Sequence, residues 1–164
     1  MTRPPGLEEI CMEYPRRKSP RLQGYDYSAA NYYFVTICAH EKKCLFTGEN
    51  REVAEQELLT LAEHYSNVRV AKCVIMPNHI HAIVVIDAQS ETGGSRPAPT
   101  LAQVVGLYKS GVSRRIRQKA PNKIIWQRSY YDRVIRNETE YLNTWKYIDE
   151  NPLKWVDDEL YVEE

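Results

Sequence analysis

The sequence predicts an α+β domain: a ferredoxin-like antiparallel sheet with helices packed on it. Three observations predict it. Strand-like apolar runs and helical periodicities follow one another as strand, helix, hairpin, helix, strand. Two of those runs meet at Pro77-Asn78, a turn signal that makes them a hairpin. A chain of 164 residues, 43% hydrophobic and 27% charged, is large enough to bury one real core.

Each element has its own signal. "NYYFVTICA" (31–39) is β-branched and aromatic, and apolar on both faces, as a central strand is. "VAEQELLTLAEHY" (53–65) places Ala54, Leu58, Leu61, Ala62 and Tyr65 at helical spacing. "VRVAKCVIM" (68–76) and "HIHAIVVID" (79–87) form the hairpin. "AQSETGGSRPAP" (88–99) is a flexible connection by composition. Thr100 caps a helix with Leu101, Val104, Val105, Tyr108, Val112 and Ile116 on its buried face. Lys109, Ser113, Arg114 and Arg117 point away from that stripe. "KIIWQ" and "DRVIR" are short strand candidates. Asn137, with Glu140 three residues on, starts a last helix that runs to about Asn151 before Pro152. The chain divides into a basic arm (1–30), a folded domain (31–157) and an acidic tail (158–164).

Several function classes recede. No apolar run reaches transmembrane length, and the opening "MTRPPGLEEICMEYPRRK" lacks the apolar stretch of a signal peptide. Cys11, Cys38, Cys44 and Cys73 form no CxxC pair, so buried reduced thiols are expected and the cytoplasm is the expected compartment. A net charge of zero argues against a nucleic-acid partner, but the distribution of charge argues for one. Residues 103–136 carry nine basic side chains and one acid, whereas 137–164 carry nine acids and two lysines. A second basic knot, "PRRKSPR", holds Arg16, Arg17, Lys18 and Arg21. Charge gathered this way offers phosphates a local surface, with Lys109, Arg114, Arg117 and Lys123 as its helical members. The plainer alternative is a set of solvated faces.

Two features ask for chemistry. His79 and His81 share one face of a strand, where they either hydrogen-bond structurally or hold a metal. On the last helix, Tyr141, Leu142, Trp145 and Ile148 define the apolar stripe. Tyr147 falls on the polar side of the helix with Glu140, Thr144 and Asn151, and Asn151 stands one turn beyond it. It is either functional or a surface residue. His40 and His64 lack partners at ligand spacing. Asn78 shapes the turn or touches DNA, and Tyr130 and Tyr131 pack or stack on a base.

These segments, in order from Tyr14 to Trp155, resemble a known family. "RRKSPRLQGYDYS", "YYFVTICAHEKKCLF", "VIMPNHIHAIVVI", "PTLAQVVGLYKS", "IWQRSYYDRVIRNETEY" and "YIDENPLKW" are similar to the REP-associated tyrosine transposases. These IS200-like transposases are the single-tyrosine branch of the HUH nucleases. The resemblance implies that His79 and His81 bind a divalent metal, Mg²⁺ or Mn²⁺, with Asn151 as third ligand. It makes Tyr147, on the C-terminal helix, the catalytic nucleophile. It implies cleavage and rejoining of single-stranded or hairpin DNA through a 5′-phosphotyrosine, by a monomer or homodimer. Two other classes stand beside this one: a hairpin-binding module that has lost cleavage, and a metal-dependent hydrolase of small substrates.

Overall fold

In the computed structural model, residues 31–88 and 98–163 are described. The basic arm, with Arg16, Arg17, Lys18 and Arg21, lies outside them, as does most of the 88–99 connection. The elements are β1 (Asn31–Cys38), α1 (Gly48–Leu59), the short α2 (Leu61–His64), β2 (Val68–Ile75), β3 (His79–Ile86), α3 (Leu101–Arg117), β4 (Tyr131–Ile135) and α4 (Glu138–Glu150). A 3₁₀ segment, Asn151–Asp157, continues from α4.

Four antiparallel strands stand in the order β2-β3-β1-β4. That order, with β1-α1-β2-β3-α3-β4 connectivity, is the ferredoxin-like arrangement expected. β1 and β3 occupy the centre, and every residue of β3 is buried, which is why its run reads as continuously apolar rather than alternating. Side chains on one sheet face (Ile80, Ala82, Val84 and Ile86 of β3) pack with α1 and α3 into the main core. The opposite face (Phe34, Ile83, Val85 and Ile135) packs with Ile148 of α4.

Local signals place most boundaries. Thr100 accepts from the Gln103 amide at 3.2 Å and Gln103 returns the bond to the Thr100 amide at 2.8 Å, a reciprocal capping box. Asn137 accepts from the Glu140 amide at 2.8 Å and starts α4. Other elements differ from expectation. The helix expected from residue 53 begins at Gly48 and breaks at Thr60, whose hydroxyl turns back to the Glu57 carbonyl at 2.9 Å. "KIIWQ" forms no ladder. Trp126 makes one isolated bridge to Ala39, and Ser129 at φ 73° turns the chain before β4. Ser113, expected to point outward, is buried.

The largest correction concerns α4. Leu142 is 57% exposed and Trp145 36%, while Thr144 and Ile148 are buried and Tyr141 and Tyr147 are half-buried. The polar side of the helix, with Thr144 and Tyr147, meets the sheet, and part of the expected apolar stripe, Leu142 and Trp145, faces outward. Trp145 lies under the Lys72 ammonium at 4.9 Å, and Lys72 also pairs with Asp149 at 2.6 Å. These contacts hold the outer edge of α4 against β2.

Candidate active site

The site grows from the row of residues that cross-strand register lines up on the α4 face of the sheet. Val74, His81, Thr36 and Tyr131 are successive partners across β2, β3, β1 and β4, and Cys38 stands opposite His79. Paired residues in an antiparallel sheet share a face, so both imidazoles point toward α4. His79 is 0% and His81 1% exposed.

Their hydrogen bonds decide which ring nitrogens are available. Asn78 spends its amide nitrogen on the carbonyls of Lys42 (3.1 Å) and Leu160 (2.6 Å). Its Oδ1 can then only accept, so Nδ1 of His79, 2.8 Å away, carries the proton and Nε2 is left bare. The sequence offers Asn78 as a turn residue or a DNA contact; in the fold it orients His79. Thr36 Oγ1 lies 2.9 Å from Nδ1 of His81. A hydroxyl both donates and accepts, so it supports His81 in either tautomer.

The two Nε2 atoms are 3.1 Å apart. Without an ion, His81 donates across that gap to His79. With one, the His81 proton belongs on Nδ1 and both Nε2 atoms face the metal. Two ligands at right angles, with bonds of about 2.1 Å, stand about 3 Å apart, so the separation of the pair is that of two nitrogens sharing an ion. Burial holds both imidazoles neutral, as ligands must be. Burial lowers the His79 pKa to about 4 against an opposing pull from Asp158, and burial and then His79 hold His81 well below its ordinary value.

Asn151, 4% exposed, caps the end of α4. Its Nδ2 donates to Asp158 Oδ2 at 3.1 Å, while its Oδ1 is buried without a hydrogen-bond partner. Such an orphaned oxygen is costly unless something electropositive joins it, which suits the third-ligand role the resemblance implies. Asp158 opens the acidic tail in the sequence, where nothing sets it apart. In the fold it sits with Oδ2 3.7 Å from His79 Nε2 and its side chain 5% exposed. The ligand atoms of His79, His81 and Asp158 all lie within 4.8 Å of one another. No local pattern points to Asp158, because the contact forms only when the fold brings residue 158 beside residue 151.

Tyr147 completes the cluster. Its ring centroid is 5.3 Å from that of His81 and 5.9 Å from Phe34, in edge contacts. Trp155 covers His79 at 5.9 Å and is itself met by Tyr161 at 5.2 Å. His40 and His64 stay outside the cluster.

Arg133 reaches Thr144 of α4 at 3.4 Å on this face, but the expected phosphate contacts of α3 are not gathered here. α3 packs on the other sheet face. Lys109 donates to the carbonyls of Gln127 (3.1 Å) and Ser129 (2.5 Å), so its ammonium braces the turn before β4. Arg115 and Lys119 pair with Glu57 and Glu49 of α1. Arg114 and Arg117 are exposed and line an open cleft of about 370 Å³ with Ser110, Ser113, Lys109 and Trp126. Arg117 also donates through Nε to the Lys123 carbonyl at 3.0 Å. Tyr131, 51% exposed on edge strand β4, shares the sheet face of the histidines as the partner of Thr36, whereas Tyr130 is buried.

Fold and site together define an α+β protein whose sheet presents a buried imidazole pair, fit for a metal, to a tyrosine on a covering helix. The chain belongs to the IS200-like transposase family, whose model, described as "Transposase IS200 like", matches residues 26–151. A Haemophilus influenzae protein of uncharacterised function is 32% identical over 90% of this chain and 94% of its own length. A second H. influenzae protein, provisionally named a REP-associated tyrosine transposase, is 26% identical over 79% of this chain and 74% of its own. Among solved structures, a REP-associated tyrosine transposase bound to a REP hairpin superposes with a TM-score of 0.61 at 18% identity, covering 79% of this chain and 71% of that one. A provisionally assigned transposase from Deinococcus radiodurans R1 gives 0.51 at 17% identity, covering 79% and 95%. No helix of the described residues is long and apolar enough to cross a membrane.

Proposed function

We propose that this protein is a divalent-metal-dependent endonuclease and strand transferase acting on single-stranded DNA at hairpin-forming repeats. The observation that carries the proposal is the edge contact of Tyr147 with His81, 5.3 Å between centroids, which sets the nucleophile beside the ligand pair. A Mg²⁺ or Mn²⁺ ion held by His79, His81 and Asn151 would neutralise phosphate charge and polarise the phosphorus. The chain supplies the rest. Packing against Phe34 and His81 limits the tyrosine ring to few orientations, which lowers the cost of positioning its oxygen for attack. The phenol oxygen attacks phosphorus after giving up its proton to solvent. The tyrosyl ester bond forms, the bond to the 3′ oxygen breaks, and that oxygen leaves as a 3′ hydroxyl by taking up a proton. The 5′-phosphotyrosine conserves the ester, so a 3′ hydroxyl can later displace the tyrosine without a high-energy cofactor.

DNA would be held by cations away from the reacting phosphate: the exposed Arg114 and Arg117 on α3, Lys123 in the segment that follows it, and Arg16, Arg17, Lys18 and Arg21 in the arm. Lys109 is better assigned to bracing the turn than to a phosphate. Family membership and the hairpin bound by the REP-associated neighbour support a structured DNA substrate. The test is incubation of the full chain with hairpin-bearing single strands from its own genomic neighbourhood and Mn²⁺. Tyrosine linked to the 5′ phosphate of the downstream fragment, and an upstream fragment ending in a free 3′ hydroxyl, are the expected products. Tight hairpin binding with neither product would assign the chain to non-cleaving binders.

A further inference from the structure

We infer that Asp158 is a charged ligand of the ion proposed above, oriented by Asn151, so that the site is a two-histidine, one-carboxylate centre. The inference rests on the metal reading and changes the site's charge and donor set. Asp158 Oδ2 stands 3.7 Å from the bare Nε2 of His79 and within the common ligand radius of His81. Among the described residues, His79 is the nitrogen partner within 4.0 Å of this carboxylate, and because its Nδ1 donates to Asn78, the Nε2 that faces Asp158 presents a lone pair. A nearly buried carboxylate facing a lone pair lacks the counter-charge that burial demands. An ion between them supplies it.

The rest of the side chain is arranged for that role. Oδ1 accepts the Leu160 amide at 2.7 Å, which fixes the carboxylate plane, and Oδ2 accepts Asn151 Nδ2 at 3.1 Å. The same bond settles the Asn151 amide: its nitrogen faces the carboxylate, and its unpartnered Oδ1 stays available to the ion. The 3₁₀ segment Asn151–Asp157 is kinked at Lys154, and residue 158 comes beside residue 151. Two imidazoles and a carboxylate form a donor set that takes first-row ions such as Mn²⁺ in the absence of DNA.

The experiment is Mn²⁺ titration of the full chain without DNA, read by calorimetry and by loss of the free-ion EPR signal. Asp158→Asn keeps the shape and an amide oxygen able to accept from Asn151, but removes the charge. If Asp158 is a ligand, that variant loses at least about tenfold in Mn²⁺ affinity, and Asp158→Glu recovers part of the loss. Melting curves of the metal-free variants check the fold, and the Mn²⁺-induced rise in melting temperature gives a second reading for each. Affinity of Asp158→Asn within about twofold of wild type overturns the ligand role and leaves Asp158 as a prop for Asn151. If the wild type takes up no Mn²⁺, the metal reading and this inference fall together. If Asp158→Asn alone keeps full uptake, only this inference falls.

Discussion

Thr36 Oγ1 lies 2.9 Å from Nδ1 of His81, and the two residues are direct partners across β1 and β3. The hydroxyl can accept from a protonated Nδ1, the tautomer in which the far nitrogen of His81 turns a lone pair toward its neighbour. Thr36→Val keeps the shape of the side chain and removes that support. A buried imidazole nitrogen then lacks a partner, at a cost of about 1–3 kcal/mol. Mn²⁺ affinity should fall by roughly 10- to 100-fold, with cleavage falling in parallel. Calorimetric titration checks it; unchanged affinity would mean that His81 sets its tautomer without Thr36.

Tyr147 touches both His81 and Phe34, so two substitutions separate packing from chemistry. Tyr147→Phe should keep the melting temperature within a few degrees and abolish the DNA-linked product. Tyr147→Ala should abolish the product and also cost about 1–2 kcal/mol of stability, because a half-buried ring is removed. Undiminished adduct from the Phe variant would move the nucleophile to another tyrosine, with the exposed Tyr131 the first to test.

The pH dependence of the metal-free protein follows from the two depressed imidazoles. His79 drops from 6.5 to about 4 and His81 also drops, each chiefly through burial. The unfolded chain therefore binds more protons than the folded one below pH 6.5, and stability falls as pH falls. The contribution is complete above pH 6.5 and is lost progressively as pH drops toward 4. Urea midpoints at pH 8, 6 and 4.5 should decline in that order, and His81→Ala should flatten the decline. A midpoint independent of pH would show that the imidazoles are not held neutral by the fold.

Arg114 and Arg117 are exposed in the α3 cleft, whereas Lys109 braces the turn at Gln127 and Ser129. Replacing both arginines by alanine should weaken binding to every hairpin. It should also lower the slope of log affinity against log salt by roughly 0.7 to 0.9 for each phosphate no longer neutralised. Lys109→Ala should lower the melting temperature instead. A double variant with an unaltered salt slope would place the phosphate surface elsewhere, with the arm the next candidate.

The N-terminal arm makes a separate prediction. Its basic knot, "PRRKSPR", is flanked by prolines and precedes β1. Removing residues 1–21 should reduce discrimination between a cognate and a scrambled hairpin more than it reduces overall affinity. Binding assays at several salt concentrations decide; equal losses on both hairpins would leave the arm with charge and no selectivity.

Local rules carry the sequence a long way. Capping at Thr100 and Asn137 depends on residues three apart, and both caps form. Strand alternation puts His79 and His81 on one face without any knowledge of the fold, because period two is a property of the backbone. The buried side of α4 is legible only in part: Ile148 is buried as periodicity expects, but the rest of the stripe is not. Apolar periodicity assumes that the hydrophobic stripe meets the protein, but this helix covers a polar cluster, so Thr144, Tyr147 and Asn151 turn inward and Leu142 and Trp145 turn out. Asp158 is hidden for a different reason. It lies 79 positions from His79, and no pattern relates the two until the fold brings them together. The backbone's local geometry settles which residues share a strand or a cap; only long-range packing decides that a tail aspartate and two strand histidines surround one point.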